Sequence, residues 1–290
     1  GLTEVAYQNA AIYAKDRLQM RSLSGIKAPD KPADPIIVHP DVRRMLLTAR
    51  AYAEGGRALA MWTTLQIDRE LGSDDEAVRR DCADLVALVT PIIKAFLTDN
   101  AWISTSACLQ VFGGHGYIRE SGMEQFVRDS RINMIYEGTN TIQALDLLGR
   151  KVLGDSGAKL KKFGKIVAQF VEDEGTDEAM QEFVNPLADL GDKVTKLTTE
   201  IGMKALQNAD EVGAAAVDYL RVCGHLAFAY FWARMAKVAL GKADSADPFY
   251  KAKLATARFY FAKLLPETAM LIRTARAGVK STMEMEEALF

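Results

Sequence analysis

The chain has 290 residues, which is near the upper size of one hydrophobic core and enough for two ordinary domains. Its 49% hydrophobic and 26% charged residues exclude a disordered, collagen-like or disulfide-framework protein. Lys and Arg number 36 and Asp and Glu 38, a balance that gives no support to nucleic-acid binding. Alanine is the commonest residue, which favours helices over strands.

The three cysteines, Cys82, Cys108 and Cys223, are odd in number and far apart. They fit free thiols in a reducing compartment, so a cytoplasmic location is expected. No pair of them has metal-ligand spacing, and no metal site is predicted. No apolar run approaches the roughly 18 residues that a membrane span requires. We therefore expect a soluble protein without a membrane span.

Helical spacing of apolar residues predicts a first helix over about residues 4–20. A loop follows, because four of the eight prolines fall between residues 29 and 40. From Asp41, the expected cap, a long helix is predicted as far as about Gly72.

The next helical pattern starts with the acidic run at residues 73–76. Pro91 predicts a kink or a new helix start, and Gly113-Gly114 predicts the helix end. Ser121 and Glu124 read as a capping box for a short helix to about residue 131. A turn is predicted over residues 135–139, with Thr139 capping a helix to about residue 153.

Beyond residue 154 the apolar positions step by four and three, which indicates a narrow antiparallel helix seam. The residues of this stripe are Phe183, Leu187, Leu190, Val194, Leu197 and Ile201. Two further helices are predicted at about 213–240 and 248–277, with Pro266 a kink in the last. The chain is thus predicted to be all-α, with a four-helix-type up-down bundle over 1–154 and a second antiparallel helical bundle over 155–290.

Glu137 is the residue that most invites a chemical interpretation. It lies at a loop-to-helix junction after the apolar residues Ile132, Met134 and Ile135. A carboxylate in an apolar cleft is a competent base near neutral pH. The alternative from spacing alone is that Glu137 only favours a helix N-terminus through the helix dipole.

The three histidines, His39, His115 and His225, are isolated in sequence, and a structural role is the better interpretation for each. Gly113-Gly114 fails the pattern of a Rossmann fingerprint, because it follows a predicted helix and lacks the last glycine.

Three segments together resemble the C-terminal helical domain of the acyl-CoA dehydrogenases, which are FAD enzymes. They are residues 110–117 (QVFGGHGY), Arg128-Asp129 and residues 135–143 (IYEGTNTIQ). The resemblance covers about residues 3–153. Residues 155–290 resemble the additional helical domain of a larger bacterial-type subgroup, which includes enzymes for 3-methylmercaptopropionyl-CoA and long-chain acyl-CoA.

The resemblance implies that Glu137 removes the α-proton of an acyl-CoA thioester while a hydride passes from the β-carbon to FAD, and that Tyr136 and Gly138 contact the substrate. It assigns FAD contacts to Arg17, Gln110, Gly113, Gly114, Thr139 and Thr141. The implied partners are an acyl-CoA, an electron-transfer flavoprotein or similar acceptor, and identical subunits in a homodimer or homotetramer.

The sequence also departs from the family pattern. Leu18 and Gln19 follow Arg17 where many members have a Phe-Gly pair, and Pro40 stands where shorter members offer a glutamine. The family's N-terminal and β-domains are not in this chain, which therefore looks like a C-terminal fragment. Two alternatives stay open, namely a non-catalytic helical scaffold module and an acyl-CoA oxidase-like flavoenzyme.

Overall fold

The computed structural model describes residues 1–290, and its regular secondary structure is helical, as the sequence predicts. The helices are α1 Leu2–Asp16, α2 Pro40–Gly72, α3 Glu76–Phe112, α4 Met123–Ile132, α5 Asn140–Leu145, α6 Ala158–Glu174, α7 Gln181–Ala205, α8 Asp210–Leu240, α9 Pro248–Phe259, α10 Glu267–Arg276 and α11 Lys280–Met283. A single antiparallel bridge, between Leu18 and Pro35, is the only β-type pairing.

By its contacts the chain groups into two compact units. The first unit comprises Gly1–Glu54 and Leu97–Tyr136, and the second comprises Gly55–Phe96 and Glu137–Phe290. The division falls inside α2 and α3, so both helices contribute residues to both units. The sequence-based boundary at residue 154 stays a prediction.

Small residues build the core of the first unit. Ala6, Ala10 and Ala14 recur every four residues on α1 and are fully buried. They meet buried Met45 and Leu46 of α2 in one cluster. Alanine on the buried face lets helices approach closely at little cost in side-chain entropy.

The second unit has a core rich in aromatic side chains. Every residue from Val222 to Ala233 on α8 is buried, so this middle stretch of the helix is enclosed on all sides. Around it pack α7, α9 and α10, and the predicted stripe on α7 from Phe183 to Ile201 is at most 2% exposed. The seam is therefore confirmed.

Of three local predictions about helix ends and breaks, the structure confirms two and corrects one. Thr139 does cap α5, since its side chain accepts the Ile142 N–H, and Pro266 does lie where the last long helix breaks between α9 and α10. The new start at Pro91 is wrong, because α3 continues through it between buried Val89 and Ile92. Packing of these neighbours offsets the hydrogen bond that proline removes.

Two predicted caps are corrected by the structure. The capping box is wrong, because the Ser121 hydroxyl donates to the His115 carbonyl and Gly122, in a left-handed conformation, precedes α4. Asp41 is not a cap either, since α2 begins one residue earlier, at Pro40. Proline suits the first helical position, where its missing N–H has no partner in any case.

Candidate functional site

The segment after α1 is held in a defined path by backbone pairing. The Ile36 N–H donates to the Arg17 carbonyl over 2.8 Å, and the Gln19 N–H donates to the Asp34 carbonyl over 3.0 Å. Because the Arg17 N–H also donates to Tyr13 at the end of α1, the Arg17 backbone is fixed from both sides. Its side chain therefore starts from a fixed point at the end of α1.

Asp34 organises the proline-rich loop that follows. Its fully buried carboxylate accepts the backbone N–H groups of Ser22, Lys27 and Ala28 over 2.9, 3.0 and 2.7 Å, and it pairs with Arg21 over 3.2 Å. Burial alone would raise the pKa of Asp34, but these donors outweigh it and lower the pKa to about 2. The loop thus has a fixed centre although it has no regular secondary structure.

A cavity of about 610 Å³ lies in the first unit beside this segment. It is lined by Tyr13, Arg17, Gln19, Ile36, Gln110, Val111, Phe112, Gly113, Gly114, His115 and Ile118. Four of the residues predicted to contact a cofactor, Arg17, Gln110, Gly113 and Gly114, are therefore brought together. The exposed Arg17 guanidinium makes no ion pair or hydrogen bond within the chain, so its charge is available to a ligand.

The glycines at the end of α3 leave the cavity wall open. Gly113 has a φ of +60°, a conformation that glycine adopts without penalty. No atom lies within 4 Å of the position that a Cβ would take at Gly113 or Gly114. By contrast, a Cβ at Gly116 would lie 2.5 Å from the Leu109 carbonyl, so that glycine serves close packing. The first two glycines expose backbone where a ligand can approach.

Sequence reasoning missed part of the cavity wall. Tyr13 and Phe112 stack with ring centroids 4.0 Å apart, and both line the cavity together with Gln19 and His115. Leu18 and Gln19 follow Arg17, so no aromatic residue stands directly after the arginine. The stacked pair instead supplies an aromatic surface from α1 and α3. Only the contact across the unit reveals the pair, because 99 positions separate the two residues in sequence.

Glu137 lies in the turn before α5 in a strained conformation. Its φ is +54°, in the left-handed region that residues other than glycine rarely adopt, and Gly138 follows with a φ of +82°. The Glu137 side chain is exposed and makes no ion pair or hydrogen bond within the chain. Within this chain no apolar cleft encloses the Glu137 carboxylate, because its apolar neighbour Ile135 is itself 46% exposed.

Hydrogen bonds on the α5 side hold this turn. The Thr139 hydroxyl accepts the Ile142 N–H over 3.5 Å, and the Gln143 side chain donates to the Glu137 carbonyl over 3.4 Å. A Cβ at Gly138 would lie 3.2 Å from Nε2 of Gln143, so glycine suits both the conformation and the space. Thr139, Thr141 and Gly138 are all exposed at this turn.

Tyr136, the predicted substrate contact, ends the first unit. Its backbone N–H donates to the Ile132 carbonyl over 3.2 Å, which continues the last turn of α4, and the residue is 46% exposed. An exposed tyrosine ring offers an apolar face to a ligand at small entropic cost.

The histidines differ in environment. His39 interacts with the Gln19 carbonyl over 3.0 Å, and His115 lines the cavity. His225 is fully buried, 3.0 Å from the Tyr260 hydroxyl and 3.1 Å from Glu267. Burial lowers the pKa of His225, opposed by the hydrogen bond and charge of Glu267, so burial favours the neutral form of the imidazole.

An all-helical chain with an unpaired arginine beside a glycine-lined cavity, and with a free carboxylate at a strained turn, has the features of a ligand-binding enzyme domain. The family model described as "Acyl-CoA dehydrogenase, C-terminal domain" matches residues 20–153, and "Acetyl-CoA dehydrogenase C-terminal like" matches residues 163–286. The chain belongs to the acyl-CoA dehydrogenase family and corresponds to its C-terminal part.

Curated relatives agree with this assignment. The chain is 40% identical over 271 residues to a 3-methylmercaptopropionyl-CoA dehydrogenase of Ruegeria pomeroyi, covering 92% of this chain and 45% of the relative. It is 32% identical to a broad-specificity linear acyl-CoA dehydrogenase of Mycobacterium tuberculosis, covering 98% of this chain and 48% of the relative. The chain therefore spans about half the length of these curated relatives.

Solved structures show the same fold. An acyl-CoA dehydrogenase from Bacillus anthracis, complexed with FAD, superposes with a TM-score of 0.72 at 20% identity, covering 94% of this chain and 46% of the other. A Caenorhabditis elegans protein in complex with C11-CoA gives 0.69 at 19% identity, covering 90% and 40%. None of the helices has the length and apolar character needed to cross a lipid bilayer.

Proposed function

We propose that the full-length protein is an FAD-dependent acyl-CoA dehydrogenase that converts an acyl-CoA thioester to the trans-2-enoyl-CoA, with Glu137 as the base. The observation that carries this proposal is the exposed, unpaired Glu137 carboxylate at a left-handed turn, inside the region that matches the family's C-terminal domain. Strained conformations of this kind cluster at functional sites, where the surroundings must maintain them.

The residues around the cavity suit an anionic dinucleotide. Arg17 brings a charge without an internal partner, and the backbone of Gly113 and Gly114 is accessible. Gln110 adds an amide that can donate and accept, while Tyr13 and Phe112 offer an aromatic face. These residues of the first unit would hold part of FAD. The resemblance also assigns FAD contacts to Thr139 and Thr141, whose hydroxyl groups lie at the start of α5 in the second unit.

In the reaction, the Glu137 carboxylate accepts the α-proton of the thioester, and the electron pair of that C–H bond becomes part of the new double bond. FAD, when bound, supplies the acceptor for the hydride that leaves the β-carbon. The Glu137 backbone N–H has no acceptor within the chain, so it can donate to the thioester carbonyl and stabilise the negative charge that develops there. Tyr136 and Gly138 would flank the acyl chain.

The relatives' names bear on the substrate and the partners. They specify 3-methylmercaptopropionyl-CoA, linear acyl-CoA and butyryl-CoA dehydrogenases, so acyl-CoA is the shared substrate class. We assign the same class to this protein, with an electron-transfer flavoprotein or similar molecule as electron acceptor. The working assembly is a homodimer or homotetramer in the cytoplasm.

Replacing Glu137 tests this function. In the full-length gene product, Glu137→Gln is expected to lower kcat for acyl-CoA oxidation by about 10²- to 10⁴-fold, because the amide cannot accept the proton. Flavin content and thermal stability should not change, since the side chain makes no internal contact.

Glu120→Gln, at another exposed glutamate in a short helical turn, is the matched control and should keep wild-type turnover. Glu137→Gln with wild-type turnover would contradict the function, and flavin-free protein in both forms would favour a scaffold. Release of hydrogen peroxide during wild-type turnover would favour an oxidase.

A further inference from the structure

The turn that carries Glu137 is tied to a distant part of the second unit. Asn140, the first residue of α5, interacts with α3 through both ends of its side-chain amide. Its Oδ1 accepts from Lys94 Nζ over 2.7 Å, and its Nδ2 donates to the Ala95 carbonyl over 3.3 Å. The two bonds bridge 46 and 45 positions of sequence and fix the orientation of the amide.

The tether acts at the point where the turn meets α5. Thr139 caps the helix immediately before Asn140, and Gln143, one turn later, donates to the Glu137 carbonyl. The Glu137 backbone is therefore held by α5, and α5 is held by Asn140 against α3. A displacement of Asn140 is passed to Glu137 through only two residues.

The bonds to Asn140 have the properties that a positioning contact needs. Both Lys94 and Asn140 are half-buried, and the contact with Lys94 is charge-assisted, which makes such bonds shorter and stronger than neutral ones. The left-handed Glu137 is unfavourable for its residue type and persists only where neighbouring structure determines it. The Glu137 side chain has no hydrogen bond or ion pair in the second unit, so the backbone path alone fixes the point from which it extends.

We propose that Asn140 and Lys94 are positioning residues for the catalytic base, through a tether that fixes the Glu137 turn to α3. This inference rests on the proposed function of Glu137. Neither residue contacts the reacting atoms; they act by keeping the carboxylate where the α-proton is presented. A misplacement of about 1 Å in such a group can cost about 10²-fold in rate.

The test measures kcat, KM, flavin content and the α-deuterium isotope effect in the full-length holoenzyme. Asn140→Ala removes both bonds, and Lys94→Met removes the charged donor but keeps the aliphatic stem. We expect kcat to fall about 10- to 100-fold in each, with flavin content retained and KM little changed. The isotope effect should rise, because proton removal becomes the slow step.

Two further variants separate positioning from general loss of stability. Lys94→Gln keeps a donor for Asn140 Oδ1 and is expected to recover part of the rate. Lys204→Met is the matched control, because Lys204 Nζ donates to the Arg276 carbonyl over 2.8 Å elsewhere in the second unit. It should keep the wild-type rate and isotope effect.

A wild-type kcat in Lys94→Met, or a rate loss that only follows loss of flavin, would overturn the inference. If Asn140→Ala does not fold, the kcat of Lys94→Met alone tests the inference. The proposed function fails separately: if Glu137→Gln retains turnover, the base is wrongly assigned, whereas an inactive Glu137→Gln with a fully active Lys94→Met refutes only the tether.

Discussion

Two arginines in the two units show how polar groups divide between binding and folding. Arg221 on α8 is 13% exposed and forms a bidentate contact with Glu267, with distances of 2.8 and 3.0 Å from its Nη2. Arg17 in the first unit lines a cavity and contacts no acidic residue. The buried arginine is fully used by the fold, while the cavity arginine is left for a ligand. An arginine without an ion pair at a cavity therefore indicates a binding site, whereas an arginine paired within the fold does not.

The largest expected effect on stability is at Arg221. Arg221→Ala leaves the Glu267 carboxylate without its arginine partner, and removes the contact with the Phe96 ring, 5.6 Å away. Breaking such a pair costs about 3 kcal/mol, at the lower end for buried pairs because Glu267 is 30% exposed. Urea unfolding measures the loss. A change below about 0.5 kcal/mol would show that this network does not stabilise the second unit.

Two glycines of the second unit allow a tightly packed position to be compared with an open one. A Cβ at Gly224 of α8 would lie 2.4 Å from the Phe96 ring, whereas nothing lies within 4 Å of one at Gly191 of α7. Gly224→Ala should destabilise the protein by about 1–3 kcal/mol through overpacking. Gly191→Ala should stabilise it by about 0.5–1 kcal/mol, since alanine is the better helix former. Thermal unfolding of both variants checks the opposite signs.

Buried His225 of the second unit predicts a dependence of protein stability on pH. The folded-state pKa of His225 lies below its usual value of 6.5, because burial disfavours the charged form. Below pH 6.5 the unfolded chain binds the proton more readily, so this contribution to stability is complete above pH 6.5 and is lost as pH falls towards the folded pKa.

His225→Gln should therefore flatten the fall in Tm as pH is lowered below 6.5, and His115→Gln, at an exposed cavity residue, is the control for the same substitution elsewhere. An equal slope in wild type and His225→Gln would contradict the burial effect. Asp34, whose pKa is lowered to about 2, contributes in a lower window, because its stabilisation is lost only as pH falls from about 4 towards 2.

The sequence predicts what depends on neighbours along the chain. The stripe from Phe183 to Ile201, the Thr139 cap and the break at Pro266 each follow from short spacings, and the structure confirms them. Pro91 shows where local rules fail, because buried neighbours on α3 outweigh the missing hydrogen bond.

The candidate site also has features that local sequence predicts and features that depend on distant contacts. The motif around Glu137 is readable in the sequence, and so is the glycine pair at the end of α3. The tether from Lys94 to Asn140 spans 46 positions and leaves no local signal. Nor does local sequence reveal that Glu137 is exposed in this chain, because burial depends on which segments cover it. Its sequence neighbours Ile132 and Ile135 are apolar, yet they are exposed as well.

The most direct test of the account is the visible flavin spectrum of the full-length gene product after loading with FAD and gel filtration, compared between wild type and Arg17→Ala. We expect wild type to retain flavin and Arg17→Ala to bind it about 10- to 100-fold more weakly, since a charge-assisted phosphate contact contributes about 1.5–3 kcal/mol. The Tm of the flavin-free protein should stay unchanged. Equal flavin retention in both proteins would contradict the claim that the unpaired arginine marks the cofactor site.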